Sequence, residues 1–171
     1  MAKEKDVRTN AMRMLDKANI PYRVNTYECD EFVDALHISD MLGQPYDNVL
    51  KTLVLTGKSG ANYVFVIPIA KELDMKKAAR AVGEKSVQML PTRLLQATTG
   101  YIRGGCTSIG MKKQLTTVID ASAMAFDEVI ISGGRIGSQI ILSPADLLAV
   151  TRATAQDVLA ISSSFCYTEL L

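Results

Sequence analysis

Lys51-Thr-Leu-Val-Leu-Thr56, Gly57-Lys-Ser-Gly60 and Asn62-Tyr-Val-Phe-Val-Ile67 follow one another with a single intervening alanine. The first and third stretches carry the β-branched, aromatic and aliphatic residues that suit a pleated surface. The glycines of the second supply a turn, so the three read as a β-hairpin. Pro68, which has no N–H to donate to a ladder, marks the end of the second strand.

Working upstream, Val33 to Leu42 has helical periodicity and is closed by Gly43, and Tyr22 to Tyr27 alternates like a half-buried strand. Thr9 precedes a helical pattern of Met12, Leu15 and Ala18, ended by Asn19-Ile20-Pro21 because proline disfavours helix in the residue before it. Downstream, Asp74 is placed to cap a helix over Met75 to Val82 with Gly83 at its end, and Pro91 opens a short helix through Ala97. Beyond Thr98 the texture becomes glycine-rich. Strand-like segments then fall at Thr117 to Ile119, Val129 to Ser132 and Gln139 to Leu142, before a helix from Pro144 to Val150. Strands and helices do not alternate strictly, so the expected class is α+β, a mixed, barrel-like sheet with peripheral helices, rather than a doubly wound fold. Residues 1–160 read as one domain, and 161–171, which includes Ser162-Ser-Ser164, as a C-terminal tail.

The chain has 171 residues, 48% of them apolar, enough for one substantial core. Nineteen Lys plus Arg against eighteen Asp plus Glu leave a net charge of +1, so contact with nucleic acid depends on local charge and not on a basic field over the whole surface. An odd set of three cysteines, Cys29, Cys106 and Cys166, argues for reduced thiols and a cytoplasmic setting. The longest apolar stretch, Tyr63 to Ala70, is too short to span a bilayer, and the N-terminus lacks the apolar run of a signal peptide.

Much chemistry is excluded by what is missing. His37 is the single histidine and falls inside a helix, which leaves a Ser-His-Asp or Cys-His site dependent on that residue alone. Metal-ligand spacing is absent. Gly57-Lys58-Ser59 matches only the last letters of a phosphate loop and reads as a turn. Cys106, beside Gly105, is the best isolated nucleophile, but no base neighbours it in sequence.

Two glycine-rich stretches remain, Gly100-Tyr-Ile-Arg-Gly104-Gly105 and Ser132-Gly133-Gly134-Arg135-Ile-Gly137. Each is either a turn or a pocket wall whose bare backbone N–H groups hold a carbonyl or a developing oxyanion. Ile102, inside the first, is expected in the core. Lys51, at the head of an apolar strand, either blunts a strand end or offers a compact cation to such a cleft. Lys76, Lys77, Arg80, Lys85, Lys112 and Lys113 offer a phosphate-binding rim, or are solvated helix-face lysines.

The strings Lys51-Thr-Leu-Val, Leu73-Asp-Met-Lys-Lys-Ala-Ala79, Thr99-Gly-Tyr-Ile-Arg-Gly-Gly105, Ile109-Gly-Met-Lys-Lys113 and Ser132-Gly-Gly-Arg-Ile-Gly137 stand in the order seen in the YbaK family. By these strings, which span about residues 9 to 160, the chain resembles that family of free-standing relatives of the prolyl-tRNA synthetase editing domain. The resemblance implies a barrel-like α/β editing fold and a trans-editing aminoacyl-tRNA deacylase that hydrolyses Cys-tRNA(Pro) with neither metal nor cofactor. Its partners would be tRNA(Pro) and, transiently, prolyl-tRNA synthetase. Carried over by position, Lys51 matches the essential lysine and Tyr27 a pocket tyrosine. Gly104 and Gly105 match one wall, Ser132 and Gly133 the opposing one, and Thr107 follows the first wall as a substrate-side position. Where relatives commonly have Ser-Pro, this chain has Thr107-Ser108, and it has Gln139 where some carry an acid. Two alternatives follow: a deacylase for Ala-tRNA(Pro) or of broader specificity, and a non-catalytic module that binds tRNA or a synthetase.

Overall fold

The computed structural model describes residues 8–29 and 33–161. The expected tail, except for Ile161, and Cys166 lie outside the described residues.

The hairpin forms as read. β2 (Leu50–Gly57) pairs antiparallel with β3 (Asn62–Pro68), with Lys51 opposite Ile67 and Val54 opposite Val64. Its turn closes through Gly60 N–H to Gly57 O (2.9 Å), while Glu84 accepts from Ser59 N–H. Gly57-Lys58-Ser59 is therefore turn structure tied to a carboxylate.

The hairpin is the centre of a five-stranded sheet ordered β4-β2-β3-β5-β8. β5 (Thr116–Asp120) runs parallel to β3, and β8 (Thr154–Gln156) runs parallel to β5. β4 (Val87–Met89) pairs with β2 only at Leu55 to Gly57. A second, antiparallel sheet is ordered β1-β7-β6, from β1 (Arg23–Thr26), β6 (Val129–Ser132) and β7 (Ser138–Leu142). The two sheets meet at a single parallel bridge, Val49 with Ile130, and then diverge. The sheet is mixed and the class α+β as expected, but the strands do not close into a barrel: beyond that bridge β2 and β6 share no ladder.

β3 is apolar along its length because both faces are covered. Val64 and Val66 join a core shared with Ala11, Met12 and Leu15 of α1 (Asn10–Lys17), Ile131 and Ile140, and Leu147 of α5 (Pro144–Thr151). Phe65 and Ile67 face the opposite way, against Ala78 of α3 (Met75–Val82) and Val158. The caps agree with the sequence reading. Thr9 accepts from Met12 N–H, Asp74 from Lys76 and Lys77 N–H, and Gly43 and Gly83 end α2 (Ala35–Leu42) and α3 at φ of 66° and 73°. The Pro91 segment forms a 3₁₀ turn over Thr92–Leu94 that continues as α4 (Leu95–Thr99).

Candidate functional site

Divergence of the two sheets opens a cleft of about 450 Å³. Its walls are the edge of β2 from Leu50 to Val54, the ends of β6 and β7 at Ser132, Ser138 and Gln139, the start of α2 at Asp34 and Ala35, and the loop at Arg103, Gly104 and Cys106. Apolar side chains such as Ile38, Leu53, Leu90 and Ile131 make up much of the lining, with a few polar groups set among them.

Six residues singled out in the sequence converge there although the chain separates them widely: Tyr27, Lys51, Gly104, Cys106, Ser132 and Gln139. Tyr27 is carried at the end of β1, its N–H donating to Gly137 O at 2.9 Å; burial raises the phenol above its ordinary value, so the hydroxyl stays protonated as a donor. Lys51 is half-buried at the head of β2. Burial lowers its pKa from 10.5, opposed by the negative charge of Glu72. Among the described residues no ion pair engages its ammonium.

The glycine stretches have a different use from the one expected. Gly104, at φ of 86°, does face the cleft. Gly105 lies behind it: its N–H donates to Ile102 O at 3.0 Å, and a Cβ there would sit 2.8 Å from the Arg135 Cα. Gly133 donates to Ser138 O at 2.8 Å, and the space its Cβ would need is taken by the Ser138 hydroxyl. Neither N–H is bare. Gly105 lets the two loops pack backbone against backbone, Gly133 makes room for Ser138 within its own β6–β7 hairpin, and Gly104 and Ser132 border the same cleft. Thr9 joins the arrangement by donating to Gly133 O at 2.6 Å.

Thr107 and Ser108 are fully enclosed, with hydroxyls that have no hydrogen-bond partner, and neither reaches the cleft. Ile102 is a correction too: it is 46% exposed, and the buried residue of that stretch is its neighbour Tyr101, whose hydroxyl donates to Ile109 O at 2.7 Å. The lysines expected as a rim are absent from the lining. Lys77 instead binds Asp157 (3.1 Å) and Leu159 O (2.8 Å), fixing α3 to the segment after β8. His37 is exposed, as its helical position suggested.

Cys106 borders the cleft with a thiol that burial pushes up to about 11, against a smaller opposing hydrogen bond with Thr99. At neutral pH it is protonated and a poor nucleophile. Cys106→Ala is therefore expected to leave the rate of whatever reaction the cleft performs within about threefold of the parent in single-turnover assays, since no thiolate is lost.

Sequence reasoning missed an amide cluster at one end. Gln44 and Gln139 exchange side-chain hydrogen bonds at 2.8 and 3.1 Å, and Asn25 donates to the Gln139 carbonyl at 3.1 Å. Gln139 is thereby satisfied while 6% exposed, and that end of the cleft is neutral where an acid would place a charge.

Residues 26–150 match the family model for the aminoacyl-tRNA editing domain. The chain belongs to the aminoacyl-tRNA editing-domain family. Within it, a protein of Enterococcus faecalis named for Cys-tRNA(Pro)/Cys-tRNA(Cys) deacylation, EbsC, is 41% identical over 160 residues, covering 92% of this chain and 98% of that protein. Solved structures share the editing-domain fold. One, described as a candidate trans-editing enzyme for prolyl tRNA synthetase, has a TM-score of 0.79 at 22% identity, covering 93% of this chain and 100% of the other. Another, a hypothetical protein, has a TM-score of 0.82 at 22% identity over 89% of this chain and 100% of its own. No described helix is long and apolar enough to cross a membrane.

Proposed function

We propose that this editing domain acts in trans, as a cytoplasmic deacylase that hydrolyses the ester of Cys-tRNA(Pro). The observation that carries the reading is Lys51, half-buried and without an ion-pair partner among the described residues, in a largely apolar cleft beside Gly104, Tyr27 and Ser132. A compact ammonium there meets the charge that develops on an ester carbonyl, or fixes the tRNA terminus. The named activity of the relative at 41% identity supports the same reaction class.

The physical need is specificity. Cysteine and proline are similar in size, and a synthetase pocket rejects one for the other only weakly, so a second hydrolytic site removes the error. The ester is already activated, and positioning with electrostatic stabilisation suffices. Burial disfavours the Cys106 thiolate, and in this reading the attacking atom is supplied by the substrate or by water. In one route the substrate thiol adds to its own ester carbon. The ribose oxygen leaves with the thiol proton, and water opens the resulting thiolactone. In the other, water adds directly and the ribose oxygen departs protonated. Both end in free cysteine and uncharged tRNA. Prolyl-tRNA synthetase is the expected transient partner, because a weakly charged enzyme gains encounters by joining a protein that already holds its tRNA.

A deacylation panel of Cys-, Ala-, Ser- and Pro-charged tRNA(Pro) tests this. Release of cysteine at least about tenfold faster than the others is expected. Preferential release of alanine would replace the specificity, and binding of charged tRNA with every ester left intact would replace the activity with a binding role.

A further inference from the structure

The cleft-facing edge of β2 contains backbone groups that the fold leaves without a strand. Val49 C=O accepts from Ile69 and Gly57 N–H donates to Ala61, so the odd-numbered residues of this segment turn their peptide groups toward β3. The even-numbered ones turn away. Lys58 N–H reaches Ser86, Val54 C=O accepts from Leu90, and Asn48 C=O accepts from Ile130. Between the Val49 bridge to β6 and the β4 ladder that begins at Leu55, Thr52 presents both N–H and C=O to the cleft and is met by neither neighbour. An edge of this kind is a template for one more extended segment.

We propose that the main chain of Thr52 recognises the α-aminoacyl group of the substrate, pairing with it as a one-residue antiparallel strand. The proposal rests on the deacylase reading above. In an antiparallel hydrogen-bonded pair one residue exchanges both its N–H and its C=O with a single partner, which a parallel pairing does not do. An α-amino ester carries the matching set: its amine donates to Thr52 C=O and its ester carbonyl accepts from Thr52 N–H. The antiparallel sense runs the ester oxygen, and with it the tRNA terminus, toward Leu50 and Lys51. The main chain thus supplies an acceptor for the amine at a stretch of the cleft whose Gln44–Gln139 end is neutral, while Asp34, the carboxylate in the lining, caps α2 by accepting from His37 N–H; the Thr52 N–H faces the oxygen on which negative charge develops.

Thr52→Ala keeps the peptide group, whereas Thr52→Pro deletes an N–H that no ladder uses. Thr52→Pro is expected to hydrolyse Cys-tRNA about a hundredfold more slowly than the parent, and Thr52→Ala, which keeps both main-chain groups, to lose much less than Thr52→Pro. In the parent protein, 3-mercaptopropionyl-tRNA, which keeps the thiol and the ester but lacks the amine, is expected to react about tenfold to a hundredfold more slowly than Cys-tRNA. Should Thr52→Pro not fold, the amide spectrum of the ¹⁵N-labelled parent decides: on adding 3′-cysteinylamino-3′-deoxyadenosine, the Thr52 amide proton moves downfield. A folded, fully active Thr52→Pro, equal turnover of the des-amino ester, or an unmoved Thr52 amide at saturation overturns the pairing while the deacylase reading stands. A parent protein inert toward every charged tRNA overturns both.

Discussion

Lys51→Ala is expected to fold as the parent does and to lose about a hundredfold to a thousandfold in kcat/KM for Cys-tRNA(Pro), the scale of removing one preorganised electrostatic group from a site. The fold should survive because Lys51 adds no ion pair among the described residues to hold β2 in place, and β2 is held by its full ladder with β3. Linkage gives the same sign. Burial lowers the folded-state pKa below 10.5, so between that lowered value and 10.5 the unfolded chain binds more protons and this group's contribution to stability rises with pH. At neutral pH the buried ammonium is thus a cost to folding, and removing it does not destabilise through charge. If the ammonium is the working form, activity falls on the alkaline side as pH rises through the lowered pKa, earlier than an ordinary lysine would allow; a lysine acting as a base would give a rise instead. Lys51→Arg keeps the charge but replaces a compact head with a broad planar one, and is expected to remain impaired. Thermal melts with single-turnover rates across pH check each point, and a folded, fully active Lys51→Ala removes Lys51 from the site.

The parts of the fold legible in the sequence are those whose signal is local. Thr9, Asp74, Gly43 and Gly83 act through bonds to residues a few positions away, and the hairpin through its own turn, so their roles are written in contiguous sequence. β4 and β8 were not legible. Val87-Gln-Met89 and Thr154-Ala-Gln156 are three-residue segments that become strands by docking on the edges of β2 and β5. The open arrangement was hidden for a similar reason, since it depends on β2 and β6 parting after one bridge.

The site divides in the same way. A lysine opening an apolar strand and a glycine-rich loop are visible chemical oddities, and Lys51 and Gly104 do border one cleft. A glycine shows that something approaches closely, but not from which side. At Gly105 and Gly133 the approaching group is protein, Arg135 and Ser138, in place of the substrate expected there. The Gln44–Gln139 pair joins positions 95 residues apart, and although Gln139 stood out as a replacement for an acid, nothing in the sequence pointed to Gln44 as its partner.

Gly105→Val is expected to cost both stability and activity, for a reason that lies in packing. Gly105 is not in the left-handed region, so backbone conformation does not demand glycine. Space does. Its Cβ would meet Arg135 Cα at 2.8 Å, Arg135 C at 3.0 Å and Ile136 N at 3.1 Å, all backbone atoms with no rotamer to swing away. The added side chain must push the 104–106 loop from the 133–136 loop, which costs about 1–3 kcal/mol of stability. The same movement shifts Gly104 relative to Ser132 and Lys51 across the cleft, and a displacement of about 1 Å is enough for a loss near a hundredfold on its own. Because the clash begins at Cβ, Gly105→Ala should already show much of it. Ile102→Val, three residues earlier and 46% exposed, is the control, expected to stay within about 0.5 kcal/mol of the parent and to keep its activity. Melting curves and Cys-tRNA(Pro) deacylation of the three variants separate the cases. Gly105→Val with parental stability and rate would mean that the two loops do not meet at Gly105, and with that contact would go the account of how Gly104 is held at the cleft.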